Sequence, residues 1–145
     1  MNWRISFVVC YLLIISCKSK STDIYDFKNY LRITTQQDSL KNMYVVYQSQ
    51  VDRTRTLFKS YWYNGRPQTI TFFHNAKKNG PSKLYLDNGV LIFEGFFFEN
   101  EEDGSFTYYY PNGVIKKAEE YIRGKKIKTC YYNSEGVLNR TELNK

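Results

Sequence analysis

From Phe58 to the C-terminus the chain repeats one short pattern of polar and hydrophobic positions. A run rich in aromatic and branched residues leads into a polar step, and a second such run follows, as in Ser82 to Asp87, then Asn88-Gly89, then Val90 to Phe98. β-Branched and aromatic side chains favour strands, and Asn-Gly between two such runs is a strong short-range hairpin signal. The step recurs as Tyr61-Trp62-Tyr63-Asn64-Gly65, Tyr85-Leu86-Asp87-Asn88-Gly89 and Tyr109-Tyr110-Pro111-Asn112-Gly113. A fourth copy, Tyr132-Asn133-Ser134-Glu135-Gly136, keeps Tyr and Gly but has Glu in place of Asn. Glycines at 65, 89, 113 and 136 lie 24, 24 and 23 residues apart, a spacing that marks a repeat architecture.

A two-residue type I′ turn needs positive φ at both central positions, which Gly adopts freely and Asn tolerates. The pattern therefore predicts a tight turn at each Asn-Gly. Looser turns are predicted between repeats, at Asn75 to Gly80, Glu99 to Gly104 and Arg123 to Lys125. The predicted fold is all-β: an antiparallel meander of repeated hairpins with a period of about 24 residues, forming one elongated sheet. Upstream, Ile33 to Thr35 and Met43 to Gln50 read as strands around an Asp38–Asn42 turn. Together with the lead into the next strand they form a degenerate hairpin over residues 33–57 that caps the sheet edge.

The Tyr-Tyr-Pro-Asn-Gly step, followed by a strand and then Tyr121-Ile122-Arg123-Gly124-Lys125-Lys126, resembles the MORN-type repeat in its bacterial form. The resemblance covers roughly residues 58–143. It implies scaffolding and membrane attachment, and some bacterial proteins with such repeats are antitoxin components. Glu135 and the uneven loose turns depart from the pattern, as in a terminal cap.

Composition adds the aromatic rings. There are 14 Tyr and 10 Phe, and aromatic residues make up 18% of the chain. A one-layer sheet has little depth of core, and large rings stacked across strands give contact area at low entropic cost. One face should carry Phe106, Tyr108 and Tyr110 beside Leu84, Leu86, Phe58 and Trp62. The other should carry a column of Tyr61, Tyr85, Tyr109 and Tyr132. The column either packs or serves as an exposed binding platform.

The N-terminal segment is of a different kind. Arg4 precedes a mainly apolar stretch from Ile5 to Ile15, which is too short to span a bilayer as a helix. It suits a secretory signal over residues 1–16. Leu13-Ile14-Ile15-Ser16-Cys17 resembles the bacterial lipobox, which implies that Cys17 becomes the first mature residue and carries lipid, with 17–32 as the lipidated tether. An ordinary signal peptide with a chance Cys, or a short membrane anchor, are the alternatives. The implied address is the bacterial envelope, lipid-anchored, at the outer membrane. Cys10 would leave with the signal, so Cys130 remains alone and reads as a small packed side chain.

Charge is uneven. Residues 18–83 carry net +8, residues 84–124 net −5, and residues 125–145 net +3. With the anchor at Cys17, Arg53, Arg55 and Lys59 are expected to face the membrane, while Glu99, Glu101, Glu102 and Asp103 project away. No phosphate loop, HExxH helix, CxxC pair or nucleophile elbow occurs. The acidic cluster lacks EF-hand spacing and reads as a solvated turn, so no metal or cofactor is expected. The basic residues form no stripe with interleaved aromatics, so no nucleic acid is expected.

These readings favour a non-enzymatic, lipid-anchored protein whose repeats bind a protein partner or a membrane. The alternatives are an antitoxin- or immunity-like inhibitor, and a small-ligand carrier whose strands close into a barrel.

Overall fold

The computed structural model describes residues 24–38 and 41–144. The leader and Cys17 lie outside the described residues. A short 3-10 turn, Phe27–Asn29, opens the described chain. The strands follow as β1 (Tyr30–Gln37), β2 (Met43–Ser49), β3 (Arg55–Tyr61), β4 (Pro67–His74), β5 (Lys77–Tyr85), β6 (Leu91–Phe98), β7 (Glu101–Glu102), β8 (Gly104–Tyr109), β9 (Ile115–Ile122), β10 (Lys125–Tyr132) and β11 (Leu138–Leu143). All pair antiparallel in one open sheet, ordered as a meander, with β7 a short side strand on β6. The two edges are β1 and β11, so the sheet does not close into the barrel that a carrier would require.

The turn chemistry is the reverse of what the sequence predicts. At each Asn-Gly step the loop is wider. Gly65 N–H donates to Trp62 O, and Trp62 N–H donates to Arg66 O. Leu86/Gly89, Tyr110/Gly113 and Asn133/Gly136 repeat this geometry. Each loop is a type I turn closed by one left-handed glycine, with φ +79° to +90° at the four positions. The Asn does not take positive φ. Its Oδ1 instead accepts from the backbone N–H two residues on, as Asn64 does from Arg66, Asn88 from Val90 and Asn112 from Val114. In the fourth copy Glu135 occupies that place, and Asn133 accepts from Val137 N–H instead.

The two-residue turns with positive φ at both central residues are the ones predicted to be loose. Asn75-Ala76 (φ 49°, 62°), Glu99-Asn100 (53°, 76°) and Arg123-Gly124 (47°, 75°) join β4–β5, β6–β7 and β9–β10. Their twist matches that of paired strands, which is why such short loops suffice.

A β-bulge precedes each wide loop. Register slips between Ser60 and Tyr61, Leu84 and Tyr85, Tyr108 and Tyr109, and Tyr131 and Tyr132. The slip sits beside every tyrosine of the column, so the irregularity is itself part of the repeat.

The core changes face along the sheet. We call the face that carries Phe58, Thr71, Ser82, Phe106 and Glu119 the front, and the other the back; residues in register share a face and neighbours along a strand alternate. In the N-terminal half the buried set is on the back: Tyr30, Leu57 and Phe72, with Tyr25, Tyr47 and Ile70 against them. Phe72 meets Tyr25 edge-on at 5.2 Å and Tyr30 at 5.5 Å, and stacks with Phe27 at 5.8 Å. β1 thus begins inside the segment that the sequence assigns to a tether, and residues 24–30 are a lid on the back face. Gly80 makes room for that lid, since a Cβ there would lie 2.4 Å from the Tyr25 ring.

In the C-terminal half the buried set is on the front. Phe106 packs on Phe93, Phe97 and Tyr121, with centroids 5.0–5.8 Å apart. Gly95 lies beneath the Phe106 ring, 2.5 Å from where a Cβ would sit.

Candidate binding face

The tyrosine column falls on the back face, opposite Phe106 and Tyr108, as the sequence alternation predicts. Each Tyr pairs with the first residue of the next strand: Tyr61 with Pro67, Tyr85 with Leu91, Tyr109 with Ile115, and Tyr132 with Leu138. Two strand steps, about 9.5 Å, separate successive tyrosines. The rings are half-buried. Burial and the Tyr47 hydroxyl push the Tyr61 phenol up to about 12. Tyr109 is raised to about 12 as well, by burial first and then by its 2.6 Å hydrogen bond to Glu94. The same bond, with Lys83 at 3.2 Å, holds the Glu94 carboxyl below its ordinary value.

Beyond the column, the lid covers the back face only as far as β6, where Tyr25 meets Phe96 edge-on at 6.0 Å, and the rest of that face is without it. Alternation and register place Phe98, Ile115, Ile122, Leu138 and Leu143 on it, and they are 39–75% exposed. Between the upper row (Ile115, Leu138) and the lower row (Phe98, Ile122) lie the small side chains of Ser105, Thr107, Ala118, Cys130 and Thr141, with the charged Glu120 and Lys128 beside them. Where this trough meets the lidded half, Pro81, Lys83, Phe96, Ser105 and Thr107 line a shallow groove of about 210 Å³. No family model matches the chain. No curated protein matches it either. Among solved structures it is similar to part of the glycosylation associate protein (Gap123) complex from Streptococcus agalactiae. Identity is 17% and the TM-score is 0.45, and the match covers 72% of this chain and 19% of that one. The chain therefore spans about a fifth of that structure's length, and a likeness at this level bears on neither fold nor function.

The front face of the same half is charged where it is not aromatic. Glu119 is 3% exposed, and its carboxylate receives Lys126 at 3.0 Å and Lys117 at 3.2 Å. Burial alone would raise its pKa, but the two ammonium groups outweigh burial and hold it below the ordinary value. Lys117 also stacks over Tyr108 at 4.0 Å, and Arg140 over Tyr131 at 4.5 Å. Burial, and then the charge of Glu119, raises Tyr108 to about 12.

The expected separation of basic and acidic surfaces is not found. Arg55 pairs in register with His74, and His74 and Lys77 approach Glu99 at 3.9 and 2.7 Å. The β2–β3 loop and the acidic turn therefore share one end of the sheet, because consecutive hairpins return there every second strand. Arg55 is held by Asp52 at 3.2 Å, and Lys59 sits on the Phe27 ring at 4.0 Å. Cys130 is buried on β10, with its Sγ 3.7 Å from the Thr141 hydroxyl.

The sequence reading missed the links between hairpin tips. Trp62 Nε1 donates to Tyr85 O, and the Tyr110 hydroxyl donates to Tyr132 O. Asn64 and Asn112 reach Asp87 O and Ser134 O through Nδ2. A recurring donor just after the column tyrosine was the available signal, and Leu86 breaks it at the middle repeat.

Proposed function

We propose that this chain is a non-enzymatic, lipid-anchored envelope protein whose hairpin repeats present one sheet face to a partner. The observation that carries the reading is the uncovered back face of β8–β11 and of the far end of β6, with Phe98, Ile115, Ile122, Leu138 and Leu143 exposed. Large apolar side chains exposed on one sheet face, here interspersed with Glu120 and Lys128, are a mark of an interaction site. The half-buried tyrosines extend it toward the hairpin tips, and tyrosine suits interfaces because it couples apolar area to a hydrogen-bonding end. The anchor rests on Ile14-Ile15-Ser16-Cys17. MORN-like turns add the expectation of a scaffold.

Two measurements test the reading. Metabolic labelling with a radioactive fatty acid should mark the protein, and Cys17→Ser should remove the label and release the chain from membranes. A wild-type chain that is never labelled rejects the anchor. Separately, Ile122→Lys should reduce what co-purifies with the protein from its own envelope. Unchanged recovery with that variant rejects the back face as the binding surface.

A further inference from the structure

We infer that the partner of the back face is a second copy of this chain, packed sheet against sheet. The inference deepens the reading above and rests on its binding face, though not on its lipid anchor. Domains bury an apolar sheet face against a second layer. In the N-terminal half that layer is the segment carrying Tyr25, Phe27 and Tyr30, which covers Phe72. In the C-terminal half nothing among the described residues takes its place.

Area supports a second copy. Four strands, β8–β11, about 4.8 Å apart and about seven residues long at roughly 3.3 Å each give a footprint of about 19 by 23 Å, roughly 440 Å² per copy. Two such faces, with side-chain relief and the free end of β6 at Phe98 added, bury about 1,000 Å², the lower limit for a specific interface and the size of a reversible one.

Relief and charge agree with a two-fold arrangement. A symmetric dimer requires one surface to complement itself. Here two ridges, one with Ile115 and Leu138 and the other with Phe98 and Ile122, flank a band that holds the small side chains of Ala118, Cys130 and Thr141 beside Glu120 and Lys128. A two-fold axis lying in the interface sets one ridge of each copy over the band of the other, so Ala118 and Cys130 receive large apolar side chains. The charges on the patch are of both signs: Glu120 and Lys128 are cross-strand neighbours. Turned onto itself, the patch offers each charge an opposite one and no net repulsion.

Sedimentation equilibrium of the full-length protein, purified as produced in a non-denaturing detergent, tests this. The expected particle holds two chains. Ile122→Lys and Leu143→Lys, at exposed sites, should each weaken self-association roughly tenfold or more, with unchanged far-UV circular dichroism. Leu31→Lys, equally exposed but on the front face of β1, should leave the dimer intact. A wild-type monomer at every concentration overturns the inference. So does a dimer that survives both back-face changes, or one lost only with Leu31→Lys. The mass of the N-terminal peptide from the same samples reports lipid at Cys17, so failure of the anchor is read apart from failure of the dimer.

Discussion

At the scale of single residues, glycine does two different jobs in this sheet. Gly113 holds φ +83° with open space for 4 Å around the place a Cβ would take, so its requirement is conformational. Gly113→Val should cost about 1–3 kcal/mol through strain alone, whereas Gly113→Asn should cost less, since Asn tolerates the left-handed region. Chemical denaturation of the two variants measures this, and equal losses would contradict the turn assignment. Gly95 has no such φ; its requirement is space. Gly95→Ala would push a methyl into the Phe106 ring and should cost about 1–3 kcal/mol. Combining it with Phe106→Leu should recover part of that loss, and a double-mutant cycle reads the coupling. The Asn-Gly signal was legible as a turn because residue type alone carries it. Its subtype was not, because Asn serves equally well through positive φ or through its side-chain oxygen, and only the neighbouring bulge decides. The isolated Gly95 between Glu94 and Phe96 was a readable hint of close approach, but the approaching ring lies on another strand.

At the scale of elements, β9 and β10 are joined by a buried ion cluster as well as by their ladder. Glu119 is held by Lys117 from its own strand and by Lys126 from β10, and it pairs in register with Phe106 and Thr129. The Tyr121 hydroxyl also donates to the Glu119 carboxylate, at 3.4 Å, and a neutral amide in its place would leave both ammonium groups without their counter-charge. Glu119→Gln should therefore destabilise by about 1–3 kcal/mol, below the full cost of breaking a buried pair because both lysines are part-exposed. The pH dependence has a definite sign. The folded carboxyl titrates below its unfolded value of 4.5, so its contribution is fully present above that value and is lost as pH falls through the lower folded value. Thermal melts between pH 7 and pH 3 should show the wild type losing stability at the acid end. The Glu119→Gln variant should lose less over the same range. Nothing in the composition of Lys116-Lys117-Ala118-Glu119-Glu120 marks Glu119 for burial. Strand alternation puts Lys117 and Glu119 on one face, but their burial comes from Phe106 and Tyr121, which composition does not position.

At the scale of the whole molecule, the change of core from back to front makes the sheet two cooperative units on one continuous ladder. The N-terminal unit is centred on Leu57 and Phe72, and the C-terminal unit on Phe106. The backbone pairing at their seam is short, and the side chains that cross it are Phe106, on Phe93 and Phe97, and Tyr109, on Glu94. β6 meets β8 through Phe93↔Tyr108 and Glu94↔Thr107, while β7 takes the far end of β6. The side-chain donor that joins the first hairpin tip to the second, and the third to the fourth, has no counterpart at this seam, because Leu86 has no donor to offer. The meander itself was legible, since every connection is short and the repeat is regular. The division was not, because it depends on which face residues 24–30 cover, and the spacing of Tyr25, Phe27 and Tyr30 fits a lead-in as well as a lid. In a one-dimensional array of hairpins, stability is the sum of unit and interface terms, so a short interface lets one unit open without the other. Leu57→Ala, at a site 1% exposed, removes roughly 2–5 kcal/mol from the first unit. Hydrogen exchange read by mass spectrometry should then show amides of β2–β5 losing protection by several orders of magnitude while those of β8–β10 keep most of theirs. The converse change, Phe106→Ala, should invert the pattern. Equal loss in both units from either substitution would mean that the β6–β8 seam transmits folding as well as any other pairing, and the sheet would then be a single cooperative body.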